Sequence, residues 1–243
     1  MKISSWDVVK ISVTSRVCLI SLGILFDYLI RDYDSSNSIA LNFREHEFEG
    51  HHHLVTPVVT PFTKWDAAFF LKIAYNHYEF EKNHAFFPMY PQLIKFLAHT
   101  FLPEVSAQST AGLYFYALSG IFISFVCFVL SSVILFKLTK LVLGDEDLAG
   151  KTVLLFNLSP SNIFLTSVYT TSIFSLVSFM GMYILFTESS KVIATRVVTN
   201  SEGAETLMTY RYRKFSKMSM FLAALTFGLA TAVRSNGFFL QVF

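Results

Sequence analysis

Charge is scarce in this chain: Asp, Glu, Lys and Arg make up 15% of its 243 residues and leave a net excess of +2. That excess, with no basic patch interleaved with exposed aromatics, excludes a nucleic-acid binder. Cysteine is scarcer still. Cys18 and Cys127 both lie inside apolar runs, where a thiol behaves as a small hydrophobe. Neither a disulfide framework nor a cysteine metal centre is available. No internal repeat is visible, and the run His51 to His53 is too local to make a metal cage by itself. The first apolar segment carries Arg16 and Asp27 and no clear small-residue cleavage site, so it reads as a retained anchor.

What the chain has instead is apolar surface. Hydrophobic residues account for 53% and aromatics for 16%, and the mean hydropathy is +0.50, far above that of a soluble domain. A membrane-spanning helix needs about 20 apolar residues. Stretches of roughly that length or longer run from Ile11 to Ile30, Gly112 to Phe136, Thr152 to Phe186 and Met218 to Phe243. The expected class is therefore all-α, a polytopic transmembrane helical protein forming one domain over 1–243. Because the last apolar segment runs to Phe243 with no polar tail, the expectation is a piece of a longer protein. Met89 to Pro103 either crosses the membrane or lies in its interface. Thr152 to Phe186 is either one long helix or two shorter ones broken near Pro160, where an amide donor is missing.

Two polar insertions set the expected sidedness. Residues 31–91 hold five basic and eight acidic side chains, whereas 188–217 hold six basic ones against three glutamates. Lysine and arginine near span ends favour the cytosol. This puts 188–217 in the cytosol and 31–91 on the opposite face, the lumen in an endoplasmic reticulum.

The most informative stretch is "KWDAAFFLKIAYNHYEFEKNHAFFPMYP", Lys64 to Pro91. Phe69, Phe70 and Ile73 share a face at helical spacing over Thr63 to Tyr75, and Trp65 with these phenylalanines would hold that helix on a membrane surface. Asp66 is open to two readings. With Thr63 it fits a helix-capping spacing; it also suits a general base held beside an acceptor hydroxyl. Glu81 is a nearby carboxylate alternative. His84 could meet a phosphate, or simply be a polar tip among headgroups. Pro88 and Pro91 give a rigid lead-in to the next apolar segment. Farther on, "LSPSNIFLTSVYTTSIF", Leu158 to Phe174, crowds hydroxyls and Tyr169 into an apolar run, either for helix packing or to line a wet cavity. "ATAVRSNGF" places Arg234 and Asn236 inside an expected span, either to meet a phosphate or to snorkel to the interface.

In order along the chain, "SRVCLISLGILFDYLI", "WDAAFFLKIAYNHYEFEKNHAFFPMYP", "NLSPSNIFLTSVYTTSIF" and "GLATAVRSNGF" resemble the PIG-V family, the second mannosyltransferases of glycosylphosphatidylinositol (GPI) anchor assembly. The chain would cover roughly a family member's amino-terminal half. The resemblance implies a GT-C-like, multi-pass glycosyltransferase of the endoplasmic-reticulum membrane with a large first luminal loop. It implies transfer of an α-1,6-linked mannose from dolichol-phosphate-mannose to the GPI precursor, with inversion. It places the catalytic carboxylate at Asp66, and makes Trp65, Glu81, His84, Tyr169, Arg234 and Asn236 candidates for holding substrate. Its partners would be the lipid-linked donor and acceptor, membrane lipids and a small accessory membrane subunit. A monophosphate leaving group leads us to expect no cofactor and no metal.

Two positions depart from the family pattern. Thr171 stands where a carboxylate is usual, and His77 where glycine is favoured. The competing readings are a transporter-like membrane protein, and an inactive or truncated assembly partner. Polarity concentrated in one loop and two membrane patches, without repeated halves, argues against the first. Thr171 keeps the second open.

Overall fold

The computed structural model describes residues 3–30, 56–101, 110–187, 189–199 and 205–242. The histidine run at 51–53 and the first part of the 31–91 insertion lie outside these residues.

Helix α1, Ser5–Leu29, starts from a reciprocal cap. The Asp7 amide donates to Ser4 Oγ (3.2 Å) and the Ser4 amide to Asp7 Oδ2 (3.0 Å). At 1.5 Å per residue it is about 37 Å long, enough for a hydrocarbon layer of about 30 Å. Helix α5, Thr110–Leu143, is longer still. These two helices are long and apolar enough to cross a membrane, and two shorter apolar helices accompany them: α7, Thr171–Thr187, and α8, Lys217–Val233.

Between α1 and α5 lie the short helix α2, Thr56–Val59, a 3-10 turn at Thr60–Phe62, helix α3, Asp66–Asn76, a second 3-10 turn at Glu81–Ala85, and α4, Met89–Phe101. Over its 13 described residues, α4 is about 20 Å long. Pro91 sits in its first turn, where a missing amide costs nothing because that donor has no partner inside the helix. α3 buries Ala67, Phe70, Leu71 and Ala74, while Phe69 stays half-buried and stacks on Phe86 at 4.8 Å.

The apolar run from Thr152 to Phe186 is two helices rather than one. Helix α6, Glu146–Asn157, ends before Pro160, and α7 starts only at Thr171. The intervening segment turns through a 3-10 stretch at Pro160–Ile163 and then folds on its own hydroxyls: Thr166 Oγ1 and Ser167 Oγ donate to the carbonyls of Asn162 (3.1 Å) and Ile163 (2.8 Å). The run from Met218 is likewise interrupted. α8 stops at Val233, and the 3-10 segment Ser235–Val242 doubles back against it. A Cβ on Gly237 would lie 2.3 Å from the Thr231 amide nitrogen, so only glycine permits that return.

Long-range contacts fix the helix directions. Ile3 packs with Phe136, Ala149 and Val153 at one end, whereas Gly23 of α1 abuts Phe62 at the other. Ser124 Oγ donates to the Ser167 carbonyl (2.8 Å) and Ser131 Oγ to that of Ser172 (3.4 Å), so α5 and α7 run alongside in the same sense. Phe186 meets Phe215, and Gly181 meets Phe227, which makes α8 antiparallel to α7. α1, α6 and α8 therefore point toward one end of the bundle, and α5 and α7 toward the other. The larger core sits at the first end. There Phe62, Phe70, Leu71, Tyr90, Tyr116 and Ile94 are buried with Val168 and Val233.

The bundle is helical, as an all-α class requires, and a single hairpin is added to it: strands β1, Ser190–Thr199, and β2, Glu205–Lys214, pair antiparallel from Ser190 with Lys214 to Thr199 with Glu205. Both are rich in Val, Ile, Thr and Tyr, which favour a pleated strand over a helix.

Candidate active site

The α3 end of the bundle holds a cavity of about 490 Å³. Its walls come from three distant parts of the chain: Asp66 and Phe70 with Ala85 to Phe87, the unwound segment from Ser161 to Thr171, and Val233 to Ser235.

Asp66 is the first residue of α3, and its side chain is exposed to the cavity. The backbone that delivers it is strained. Trp65, the residue before the helix, has φ +59° and ψ −125°, and His77, just after it, has φ +62° and ψ −156°. Side chains other than glycine adopt that region at a cost of about 1–3 kcal/mol each. The capping reading of Thr63 fails, because Thr63 Oγ1 turns away and donates to the carbonyls of Val59 (3.1 Å) and Thr60 (3.3 Å).

Tyr169 faces Asp66 from the unwound segment between α6 and α7. Its hydroxyl donates to the Lys64 carbonyl (3.4 Å), and its ring meets Phe164 edge-on at 5.3 Å. Burial, reinforced by the negative charge of Asp66 and opposed by a hydrogen bond from the Asp66 backbone amide to the phenol oxygen, pushes the Tyr169 phenol up to about 12. It is thus a neutral hydrogen-bond donor across the working range of pH. The segment is tied to the loop before α3 by the Val168 amide, which donates to the Phe62 carbonyl at 3.0 Å. Close approach to α5 is possible because Gly120 faces Val168; a Cβ there would come within 2.7 Å.

Arg234 closes the third wall. The chain leaves α8 at this residue with extended backbone, φ −156° and ψ 139°, so its exposed side chain lies at a helix end rather than in mid-helix. The cavity therefore gathers one carboxylate, one neutral phenol and one permanent cation. Thr171 lines it too, so this hydroxyl faces the same space as Asp66.

The remaining candidates stand outside this lining. Trp65 is 66% exposed and neighbours Asp66 without entering the wall. Glu81 opens the exposed 3-10 turn. His84 stacks on Tyr78 at 5.0 Å; Tyr78 in turn donates to the Phe86 carbonyl (2.7 Å) and so steadies a wall residue. Asn236 is exposed one position beyond the lining. Sequence reasoning missed Ser161, Phe164 and Thr170; the signal was present in the hydroxyl-rich run around Pro160. Among the described residues, no three His, Cys, Asp or Glu side chains converge as metal ligands would.

Residues 5–241 match the family described as mannosyltransferase (PIG-V). The chain is similar to GPI mannosyltransferase 2 of Chaetomium globosum, 30% identical over 189 residues, which is 76% of this chain and 38% of the relative. GPI alpha-1,6-mannosyltransferase 2 of Homo sapiens is 29% identical over 72% of this chain and 35% of its own length. Its Cricetulus griseus counterpart is 26% identical over 96% of this chain and 40% of its own. The chain thus spans well under half the length of these relatives. No solved structure matches it. With the family's span covering nearly every residue from α1 to the last 3-10 segment, the chain belongs to the PIG-V mannosyltransferase family.

Proposed function

We propose that this chain supplies the catalytic end of an inverting mannosyltransferase. The enzyme moves mannose from dolichol-phosphate-mannose to a mannosyl-glucosaminyl-phosphatidylinositol acceptor as the second, α-1,6-linked mannose of the GPI anchor. The observation that carries this reading is that Asp66, Tyr169 and Arg234 line one cavity although more than 160 positions separate the first from the last. Asp66 takes the proton from the acceptor hydroxyl as its oxygen attacks the anomeric carbon of the donor. The bond from that carbon to the phosphate oxygen breaks, and the phosphate leaves with the electron pair toward Arg234. Attack from the face opposite the phosphate turns a β-linked donor into an α-linked product. The leaving group is a monophosphate, so the reaction as proposed needs no cofactor.

The relatives' names support the substrate, and the acidic balance of 31–91 against the basic balance of 188–217 supports a luminal cavity in the endoplasmic reticulum. The direction of the helices agrees with that sidedness, since the β1–β2 hairpin and the start of α6 lie at the end opposite Asp66. One observation favours a second reading, an inactive assembly partner: Thr171 leaves a single acid in the cavity.

The test is transfer of labelled mannose from dolichol-phosphate-mannose by membranes containing the natural full-length protein, with Asp66→Asn beside it. General-base catalysis is worth about 10²–10⁴, so the variant should lose at least about a hundredfold while keeping its expression. Transfer by neither protein points to the assembly partner. Equal transfer by both removes Asp66 as the base.

A further inference from the structure

Arg16 lies in mid-helix on α1 and is completely buried. It faces α6 on the stripe it shares with Val8 and Ser12, one residue every turn. A buried guanidinium demands partners, because each unmatched donor or charge in an apolar setting is costly. The oxygens that accept from it are all uncharged. Nη1 donates to the Asn162 carbonyl (3.1 Å) and Thr166 Oγ1 (2.8 Å); Nη2 donates to the Asn157 carbonyl (3.4 Å) and Ser15 Oγ (3.1 Å). Its carbon end lies over the Phe128 ring of α5, 3.9 Å from the centroid.

Those acceptors explain the arrangement. Asn157 is the last residue of α6, where carbonyls lose their intrahelical partners and partial negative charge accumulates. Pro160, which follows, contributes no amide to satisfy them. Arg16 reaches in from another helix and caps α6, assisted by Ser15 Oγ on the same Asn157 carbonyl at 3.0 Å and by the Asn162 side-chain amide, which donates to it as well. The same guanidinium holds Asn162 and Thr166, and between them lies Phe164, a residue of the cavity wall.

We propose that Arg16 is a positioning residue: by clamping the break between α6 and α7 it sets the wall from Ser161 to Thr171, and with it the placement of Tyr169 opposite Asp66. This rests on the reading of the cavity as the catalytic site. Arginine is required because a planar fork can bridge acceptors on successive turns of the segment, whereas a lysine ammonium can satisfy them only as a point charge.

The experiment uses the natural full-length protein with Arg16→Lys, Arg16→Gln and Tyr169→Phe, and Arg16→Lys combined with Tyr169→Phe. Folded protein is quantified by size exclusion in detergent, and kcat is expressed per folded molecule. Small misplacements of reacting groups cost up to about a hundredfold; Arg16→Lys should lower kcat about tenfold with little change in KM for the donor. The double variant should lose no more than the worse single one, since both act on the same wall. A readout independent of activity is the rate at which a water-soluble maleimide labels Thr171→Cys in a background lacking Cys18. Arg16→Lys should change that rate by about threefold or more, as expected when a wall segment opens locally. An unchanged labelling rate overturns the inference, even if Asp66→Asn independently shows that the base assignment stands or fails. So does activity that falls only in proportion to folded protein, or losses that multiply in the double variant.

Discussion

The two ends of the bundle are built from the same kinds of residue and used differently. At the α6 end, polar groups satisfy one another locally. Ser4 and Asp7 cap α1, Asp145 caps α6 through the amides of Asp147 (2.9 Å) and Leu148 (3.1 Å), and Lys140 meets Glu146 at 3.0 Å. At the α3 end the helix that carries Asp66 is bounded by two residues in a backbone region suited to glycine and has no side-chain cap. Asp66, Tyr169, Thr171 and Arg234 face a shared cavity there. The first end shows how this chain closes a helix when stability is the only demand. The second shows strain retained next to convergent polar groups, the pattern expected where structure serves a site.

The contrast can be broken most severely at Gly237. Gly237→Ala forces a Cβ against the backbone of Ala230 and Thr231, which must swing Ser235 and Arg234 away from the cavity. A loss of about tenfold or more in transfer rate is expected, whereas Gly144→Ala, at a positive φ at the other end with open space around it, should affect thermal stability alone. A milder change is Tyr169→Phe. Its ring keeps the contact with Phe164 and loses the hydrogen bond to Lys64, so about 1 kcal/mol of positioning and a fall of about fivefold in kcat/KM are expected. Because the phenol is raised to about 12 by burial and Asp66, the wild-type rate should show no alkaline limb near 10 from this group. The smallest change removes strain instead of adding it. His77→Gly relieves φ +62° at the cost of an exposed contact with Lys95 (3.0 Å). It should raise stability by about 1 kcal/mol, read as an upward shift of the melting temperature.

Much of this organisation was legible in the sequence, for identifiable reasons. α1 and α5 are long apolar runs with few charges, and length with composition finds them. The loop motif pointed to Asp66, and the expectation of glycine at position 77 fits the positive φ that His77 adopts there. Other features depended on tertiary contacts. Pro160 offered one helix or two, and the outcome turned on whether the carbonyls it strands find donors, which they do at Arg16 from about 140 positions away. Arg16 entered the sequence reading only as a charge within the retained anchor, because its partners lie so far along the chain. Thr63 fits a cap by spacing, yet its hydroxyl has nearer carbonyls. Of the two readings open for Arg234, its place just after Val233 fits a charge at a helix end. The β1–β2 hairpin was hidden by its charge, which drew attention to sidedness instead of to its β-branched residues.

The proposed chemistry requires the Asp66 end to face a lipid-linked donor on the non-cytosolic side of the membrane, and single-cysteine labelling in sealed vesicles reads that sidedness. In a full-length background lacking Cys18 and Cys127, the exposed positions Trp65→Cys and Lys151→Cys mark the two ends. A membrane-impermeant maleimide added to cytosol-side-out vesicles should label the second at once and the first only after the membrane is opened. Labelling of Trp65→Cys in intact vesicles, with Lys151→Cys protected, would contradict it.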